Sequence, residues 1–494
     1  MPGVKRCLGL DLGSHSVKLA EMAIEGDSVR VVRMLSAPVP VGPAAVEEER
    51  NAAIVAAVRG LIKQNKISTR KAVFGMPGQT VFVRRIRLPQ APRPRLHQIV
   101  HFEARQLIPF PLEKTLLQYQ VFNTEDEREV EVLLVAMKKE TNLEFMRLVR
   151  RIGLKPIGIS VTTLALFNGQ ELSRFRMSEW REKSGAKGGP LKMVGGKGKK
   201  RKGAAAEDAG EELDIIAGSG FEEIRAYVNL GARSTDIAIC KTGKSEAVGF
   251  TRSIPLGGSH VTAAIQKASN LETFTQAETL KIEKTAVLSG AYELEADPER
   301  YDQAASQAAT KVCDRIIAEI RRSLDYYISQ PDGMAVDLIV LSGGASRMPF
   351  LAGYIEERLG LPVEISKDLN SRDLKRAAQY EDFDYASHMV AIGLASQGLG
   401  ISPITVDFIP RDIATMRDFS TQYVEMVVLG AFIGAMIFFS MQLGSSSRGV
   451  YNQQADEAQR KIEEMRPRID LKNSVEQNRV AVQSKLDILS PFVI

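Results

Sequence analysis

The sequence predicts an α/β fold built on strand–turn–strand units, followed by a helical C-terminal region. Three observations predict it. An apolar run ending at Asp11 meets a tight turn, Gly13-Ser14-His15, and an alternating run, Ser16-Val17-Lys18-Leu19-Ala20, follows it, which reads as strand, hairpin turn, strand. The pattern returns where Ile224 to Val228 leads through Asn229-Leu230-Gly231-Ala232-Arg233-Ser234-Thr235-Asp236 into Ile237-Ala238-Ile239-Cys240. A third glycine turn, Leu341-Ser342-Gly343-Gly344-Ala345-Ser346-Arg347, follows the apolar strand Leu338-Ile339-Val340, with Pro349 near the start of the next helix.

Each turn has chemistry suited to phosphate. Gly13 lets backbone N–H groups approach an anion with no Cβ in the way. Ser14 and Ser16 add hydroxyl donors, and Ser16 and Lys18, two apart in a strand, share a face. Asp11 at the strand end suits a hydrated Mg²⁺, which takes oxygen ligands and keeps its waters. One such turn is an ordinary hairpin; three in this order are harder to read as loops.

The three turns resemble the two phosphate motifs and the adenosine motif of the actin-like ATPase superfamily, which includes actin, sugar kinases and the large heat-shock chaperones. The resemblance implies an actin-like, RNase H-like duplicated two-lobe ATPase fold holding ATP and Mg²⁺ between its lobes. It assigns phosphate to Gly13, Ser14, Ser16 and Lys18 on one side and to Asn229, Gly231, Ser234 and Thr235 on the other. It assigns adenosine or ribose to Gly343, Gly344 and Ser346, and the metal, through water, to Asp11. Glu278 and Lys281, within the helical stretch Gln276 to Glu283, sit where relatives place an adenosine-facing helix; a surface ion pair is as good a reading. The second phosphate motif usually opens with aspartate, and this chain has Asn229, although Asp236 falls where chaperone relatives carry a second acid. An amide neither acts as a base nor neutralises a metal. We therefore expect ATP binding with slow or no hydrolysis and assign no catalytic residue; an active actin-like ATPase is the alternative.

Composition sets bounds. At 494 residues the chain exceeds one core. Its net charge of +5 is misleading, because Arg181 to Lys202 carries a local +8 and leaves about −3 for the rest. That argues against a nucleic-acid face on the folded part. Cys7, Cys240 and Cys313 are scattered without disulfide or zinc spacing and read as buried thiols. Met1 to Arg6 leads straight into a strand, so we expect no signal peptide.

Taken in order, residues 4–36 read as three strands, Glu47 to Gln64 as a helix with apolar Ile54, Val55, Val58, Leu61 and Ile62, and Lys71 to Met76 as a strand. Residues 1–80 and 157–180 form the expected first lobe. Residues 81–156 read as an inserted α+β subdomain: strand Val81 to Leu88, helix Leu96 to Leu107, a break at Ile108-Pro109-Phe110-Pro111, strands Gln118 to Phe122 and Val130 to Met137, and helix Thr141 to Ile152. The run from Val100 to Glu113, with Ile108-Pro109-Phe110-Pro111-Leu112-Glu113 at its end, resembles a hallmark of PilM, the cytoplasmic actin-like family of type IV pilus assembly. Glu131 to Ala136, Lys138-Lys139-Glu140 and Gly153-Leu154-Lys155-Pro156 resemble it too. His97 and His101 share a helix face but lack a third ligand and read as surface residues. Ile157 to Val161 is a strand and Thr162 to Leu172 a helix; relatives often carry an acid in that turn, where this chain has Ser160 and Thr163.

Residues 181–220, rich in Gly, Lys and Ala, read as a disordered insertion. Residues 221–400 are the expected second lobe. It holds strand Ala247 to Pro255, the turn Leu256-Gly257-Gly258-Ser259, the long helix Tyr301 to Ile328 and the apolar helix Ser387 to Gly398.

Beyond residue 400, where PilM proteins usually stop, Val406-Asp407-Phe408-Ile409-Pro410-Arg411 resembles the segment that opens PilN, PilM's membrane partner. The resemblance makes residues 401–425 a PilN-like docking segment, with Phe408, Ile409 and Pro410 seated on the chain's own first lobe. Met426 to Leu443 runs eighteen residues without a charge, which suits a transmembrane helix. In residues 444–494, Ala455, Ala458, Ile462, Met465 and Ile469, then Leu471, Val475, Val482, Leu486 and Leu489, form a coiled-coil seam interrupted near Pro467. The expectation is thus a single-pass inner-membrane protein with its N-terminal domain in the cytoplasm and a short periplasmic C-terminus. It would be a type IV pilus platform linking motor ATPases to a PilO-like periplasmic partner, as an oligomer. A GspL-like platform of type II secretion is the runner-up.

Overall fold

The alternating runs at the N-terminus fold as three antiparallel strands. In this computed structural model, which describes residues 4–42, 45–124, 126–174, 223–242, 248–288, 300–366, 374–376, 384–409 and 411–489, the first elements are β1 (Arg6–Leu12), β2 (Ser16–Glu25), β3 (Ser28–Pro38), α1 (Glu47–Gln64) and β4 (Lys71–Met76). Then come β5 (Val81–Pro89), α2 (Arg93–Leu107), β6 (Thr115–Asn123), β7 (Glu129–Lys138), α3 (Lys139–Ile152), β8 (Lys155–Val161) and α4 (Thr162–Glu171). After the insertion follow β9 (Ile224–Leu230), β10 (Thr235–Lys241), β11 (Val248–Ile254), α5 (Gly258–Ala268), α6 (Phe274–Lys284), α7 (Gln303–Ile328), β12 (Leu338–Ser342), α8 (Leu351–Leu359), β13 (Val363–Ile365), β14 (Leu374–Arg376), α9 (Tyr385–Leu399) and α10 (Arg411–Leu489).

The first lobe is a six-stranded sheet ordered β14-β3-β2-β1-β4-β8. β1 and β2 pair antiparallel with Asp11 opposite Lys18, while β4 runs parallel to β1 and β8 parallel to β4. Leu8, Leu10, Leu19 and Phe74 bury against Ile54, Val55 and Val58 of α1 and against Leu148, Val149 and Ile152 of α3. So α3, read from sequence as part of the inserted subdomain, belongs to the core of the first lobe. The insertion itself is a three-stranded antiparallel sheet, β5-β7-β6, with Leu96 and Val100 of α2 packed on it. The proline-flanked break after α2 turns Ile108 inward onto Ala104 and Ala136, with Phe110 and Leu112 alongside.

The second lobe repeats the plan: an antiparallel hairpin, β9–β10, with a parallel strand, β12, beside its first strand, in the order β11-β10-β9-β12-β13. Ala309, Cys313, Ile317 and Ile320 of α7 pack beneath it. The three cysteines are buried free thiols, as their scattered positions imply.

Helix α9 departs from the boundaries read from sequence. It lies against α4 and the first lobe's strands β1, β2 and β4, not only at the end of the second lobe. Every residue from Met389 to Leu399 is buried, as an all-round apolar helix requires. Its close approach to α4 rests on Gly393, where a Cβ would stand 1.8 Å from the Ala165 carbonyl oxygen. β14, likewise within the residues read as the second lobe, pairs with β3 of the first.

Residues 1–409 form one compact unit and 410–494 another. The second is α10, which continues through Pro467 without the interruption the sequence suggests. Ile462, Met465, Ile469, Leu471, Val475 and Val482 of the expected seam are exposed. Among the described residues no helix is long and apolar enough to cross a membrane. This overturns the expected transmembrane helix over 426–443, and with it the single-pass inner-membrane placement and the periplasmic C-terminus. The basic insertion 181–220 and Pro410 lie outside the described residues.

Candidate functional site

The carboxyl ends of β1, β4, β9 and β12 open into a cleft of about 1190 Å³ between the two lobes. The hairpin turn after β1 enters from one side and the one after β9 from the other, and they are built alike. A Cβ at Gly13 would stand 2.5 Å from the Ser16 carbonyl oxygen, and one at Gly231 2.9 Å from that of Ser234. These two glycines allow each chain to close on itself and leave its tip facing the cleft. The third turn needs Gly343 for its backbone, at φ +88°, where a Cβ would also meet the Leu230 carbonyl oxygen at 2.5 Å.

The cleft brings together Asp11, Gly13, Ser14, Ser16, Lys18, Asn229, Gly231, Ser234, Glu278, Lys281, Gly343 and Gly344. It does not include Thr235 or Ser346. Both are fully buried and brace their own turns: the Thr235 hydroxyl donates to the Leu256 carbonyl at 2.8 Å and the Ser346 hydroxyl to that of Gly343 at 2.7 Å. Short hydroxyl side chains in turns commonly bond nearby backbone in this way. α5 abuts the second turn, spending the Gly258 and Ser259 N–H groups on the Gly231 and Ala232 carbonyls at 2.9 and 2.8 Å.

Charge is arranged across the cleft. Lys18 Nζ lies 3.8 Å from Asp11 Oδ2. Burial pushes Asp11 up and the Lys18 ammonium opposes the shift. Opposite it, Asp236 accepts hydrogen bonds from Ser253 at 2.5 Å and, from the other lobe, Thr162 at 3.0 Å. Thr162 in turn accepts the Gly78 N–H at 3.1 Å. Burial pushes Asp236 up to about 6 against these hydrogen bonds, and the Asp11 charge adds to the rise. On α6, Glu278 accepts from Lys281 at 2.7 Å and Thr262 at 2.5 Å, and its other oxygen is 3.8 Å from His15 Nε2 on the first hairpin. Burial works against the Glu278 charge, but Lys281, Thr262 and His15 outweigh it and hold the carboxyl below its usual range. Asn229 lies within 3.5 Å of the Ser342 hydroxyl, against the third glycine turn.

Several cleft residues were not singled out from sequence. Thr162 is one; the same strand-to-helix turn reads from sequence as notable at Ser160 and Thr163, but neither of these lines the cleft. His15 and the Arg347–Asp384 pair at 3.1 Å also line the cleft, as does His388, which burial pushes down to about 4. The partners of Thr162, His15 and Arg347 are distant in sequence, so no local pattern marks those three. Among the described residues no three His, Cys, Asp or Glu side chains group as a metal cage. A half-buried carboxylate, Asp11, and a buried one, Asp236, each raised by desolvation, do fit one hydrated divalent cation that takes its other ligands from water and phosphate. His97 and His101 meet edge to face, ring centroids 4.4 Å apart, with His97 Nδ1 3.1 Å from the Tyr119 hydroxyl.

A second site lies on the first lobe. Residues 401–409 run along the exposed edge of β8 with Ile401, Ile404, Val406, Phe408 and Ile409 buried. The Phe408 N–H donates to the Ile159 carbonyl at 3.0 Å, and the Ile159 N–H donates to Asp407 Oδ1 at 2.9 Å. Four side-chain amides hold the rest of the segment's backbone. Asn168 bonds both the N–H and the C=O of Ile404, at 3.0 and 2.9 Å, and Gln120 bonds the Thr405 N–H and the Pro403 C=O, at 2.9 and 2.7 Å. Asn142 donates to the Phe408 carbonyl and Gln397 to that of Val406. Asp407 stands where asparagine is usual in the resembling segment; its role here needs only an acceptor oxygen, which either residue supplies.

Comparison with known proteins follows the same lines. The family model described as type IV pilus assembly protein PilM matches residues 9–184 and 204–399. A solved PilM-PilN type IV pilus biogenesis complex is 21% identical with a TM-score of 0.58, covering 81% of this chain and 99% of that one. The cytoplasmic domain of EpsL, an inner membrane component of the Vibrio cholerae type II secretion system, is 8% identical with a TM-score of 0.27, covering 54% of this chain and 75% of that one. The activator of 2-hydroxyisocaproyl-CoA dehydratase from Clostridium difficile, solved with bound ADPNP, is 8% identical with a TM-score of 0.34, covering 80% of this chain and 94% of that one.

Proposed function

This chain belongs to the PilM family of type IV pilus assembly proteins, and from that premise we propose that it is an actin-fold scaffold that binds ATP with Mg²⁺, turns it over slowly or not at all, and carries its own PilN-like docking segment. One observation carries the nucleotide reading: two hairpins of the same build converge on one cleft, each bringing a carboxylate to it, Asp11 from one and Asp236 from the other. In this reading Gly13, Ser14, Ser16 and Lys18 hold phosphate from one side and Gly231 and Ser234 from the other. Asp11 holds the metal through water. Glu278, Lys281, Gly343 and Gly344 border the adenosine. Thr235 and Ser346 act indirectly, by fixing the turns.

Slow turnover follows from Asn229, whose carboxamide cannot take a proton from an attacking water at neutral pH. Asp236, the remaining acid of the second hairpin, is engaged by Ser253 and Thr162. Nucleotide would then hold the lobes together as a ligand of the folded state.

Residues 401–409 would stand for a separate PilN segment, joined in the same chain, which raises the effective concentration of the docked peptide toward the millimolar range. We propose that the exposed seam of α10 pairs with a PilO-like helix and that the folded unit engages pilus motor ATPases, within an oligomer. The test of the nucleotide reading is equilibrium binding of a fluorescent ATP analogue with Mg²⁺. The native chain should bind and Lys18→Ala should bind at least tenfold more weakly; equal binding by both would remove the first hairpin from the site.

A further inference from the structure

Away from the cleft, at the opposite end of the first lobe's sheet, a cavity of about 390 Å³ opens where α1 and α3 end. Arg59, Lys63, Lys66 and Arg70 surround it, and no carboxylate lines it. Its floor is apolar, made by Ile67, Ile152 and Leu154, all buried.

Basic residues at helix C-termini often cap carbonyl groups. Here that work is largely done by others. Asn65 serves the Leu61 carbonyl, the Ile67 and Lys66 N–H groups serve Ile62 and Lys63, and Gly153 serves Arg150. Arg59 serves Ile152 at 3.4 Å and also Arg151. Among the described residues Lys63, Lys66 and Arg70 form no salt bridge. The like charge continues beside the cavity, where Lys71 and Lys155 are register partners on β4 and β8, and both are exposed. Like charges at adjacent strand positions are unfavourable unless something of opposite sign is near.

We propose that this cavity is a docking site for a partner peptide that places one or two apolar side chains on the floor and acidic residues around the rim. The floor argues against a compact phosphate. Its side chains, Ile67, Ile152 and Leu154, carry no hydrogen-bond donor for phosphate oxygens. An apolar anchor flanked by carboxylates matches both layers. It would bury apolar surface in the centre and neutralise the lysines at the edge, in the usual arrangement of an apolar core and a charged rim. This site goes beyond the scaffold reading and does not depend on nucleotide.

The test uses fluorescence anisotropy on the full chain at low salt. The probe is a labelled seven-residue peptide with two leucines between acidic residues, and its control has serines in place of the leucines. The leucine peptide should bind, the serine peptide should bind much more weakly, and the Lys63→Glu, Lys66→Glu double variant should weaken the leucine peptide about tenfold or more. The milder Lys63→Gln, Lys66→Gln variant should fall between. Thermal unfolding of both variants should match the native chain, because these side chains are exposed. No binding to the native chain, equal binding to the double variant, or equal binding of the two peptides would overturn the proposal. So would displacement of the leucine peptide by inorganic pyrophosphate at comparable concentration.

Discussion

Removing the Asn168 amide should release residues 401–409 while leaving the lobes folded. Asn168 is fully buried and makes two of the segment's hydrogen bonds, to the N–H and C=O of Ile404, itself fully buried. Asn168→Ala leaves both groups without partners, at about 1–3 kcal/mol each. A loss of about 3 kcal/mol, within that range, is roughly a 150-fold increase in opening. Phe408→Ala acts on the same segment by another route: the ring is 1% exposed, and its truncation costs about 3–5 kcal/mol as a cavity. Native-state hydrogen exchange reads both, because the Ile404, Phe408 and Ile409 amides are all donors in the docked segment. They should exchange 100-fold or more faster in either variant, while the amides of β9 and β12 keep their protection. If the segment stayed protected in both variants, docking would not rest on these contacts. If protection fell equally across the second lobe, the effect would be global unfolding.

Other consequences are simpler to state. Asp236 is carried up to about 6 in the folded chain from an ordinary 3.8, so protonation favours the folded state. This relative stabilisation is full below pH 4 and is lost as pH rises through about 6, by roughly 3 kcal/mol. Asp236→Asn should flatten that part of the curve in chemical denaturation, and an unchanged curve would count against it. Gly343→Ala should cost more than about 1 kcal/mol in thermal unfolding, because its φ of +88° suits glycine and its Cβ would strike the Leu230 carbonyl. Thr162→Val should weaken contact between the lobes through Asp236, so limited proteolysis without nucleotide should quicken, and added ATP with Mg²⁺ should reverse the change.

What could be read from sequence was mostly local. The two hairpins declare themselves because period-two alternation and a small-residue turn occupy about a dozen neighbouring residues each. The cleft residues on those turns, from Asp11 to Lys18 and from Asn229 to Ser234, came with them. The docking segment was legible only through a resemblance, since five apolar residues in nine do not say which edge they cover. Allegiance was not legible at all. α9 is apolar on every face, so its pattern has no direction, and close packing such as that at Gly393 and Gly9 ties it to the first lobe. α3 was misassigned because its apolar stripe would serve either the insertion or the lobe. Thr235 and Ser346 turn inward because nearby carbonyls claim their hydroxyls. The expected membrane span rested on one uncharged run of eighteen residues, with no further pattern in the sequence to support it.

The most direct measurement titrates residues 1–409 with ATP and Mg²⁺ by calorimetry and follows phosphate release in the same sample, beside Asp11→Ala and Asn229→Asp. The account predicts saturable binding, weakened by Asp11→Ala, with little or no phosphate released by the native unit. Steady release from the native unit would contradict it by showing that Asn229 does not limit turnover. Failure to bind at all would leave an actin-shaped adaptor without nucleotide.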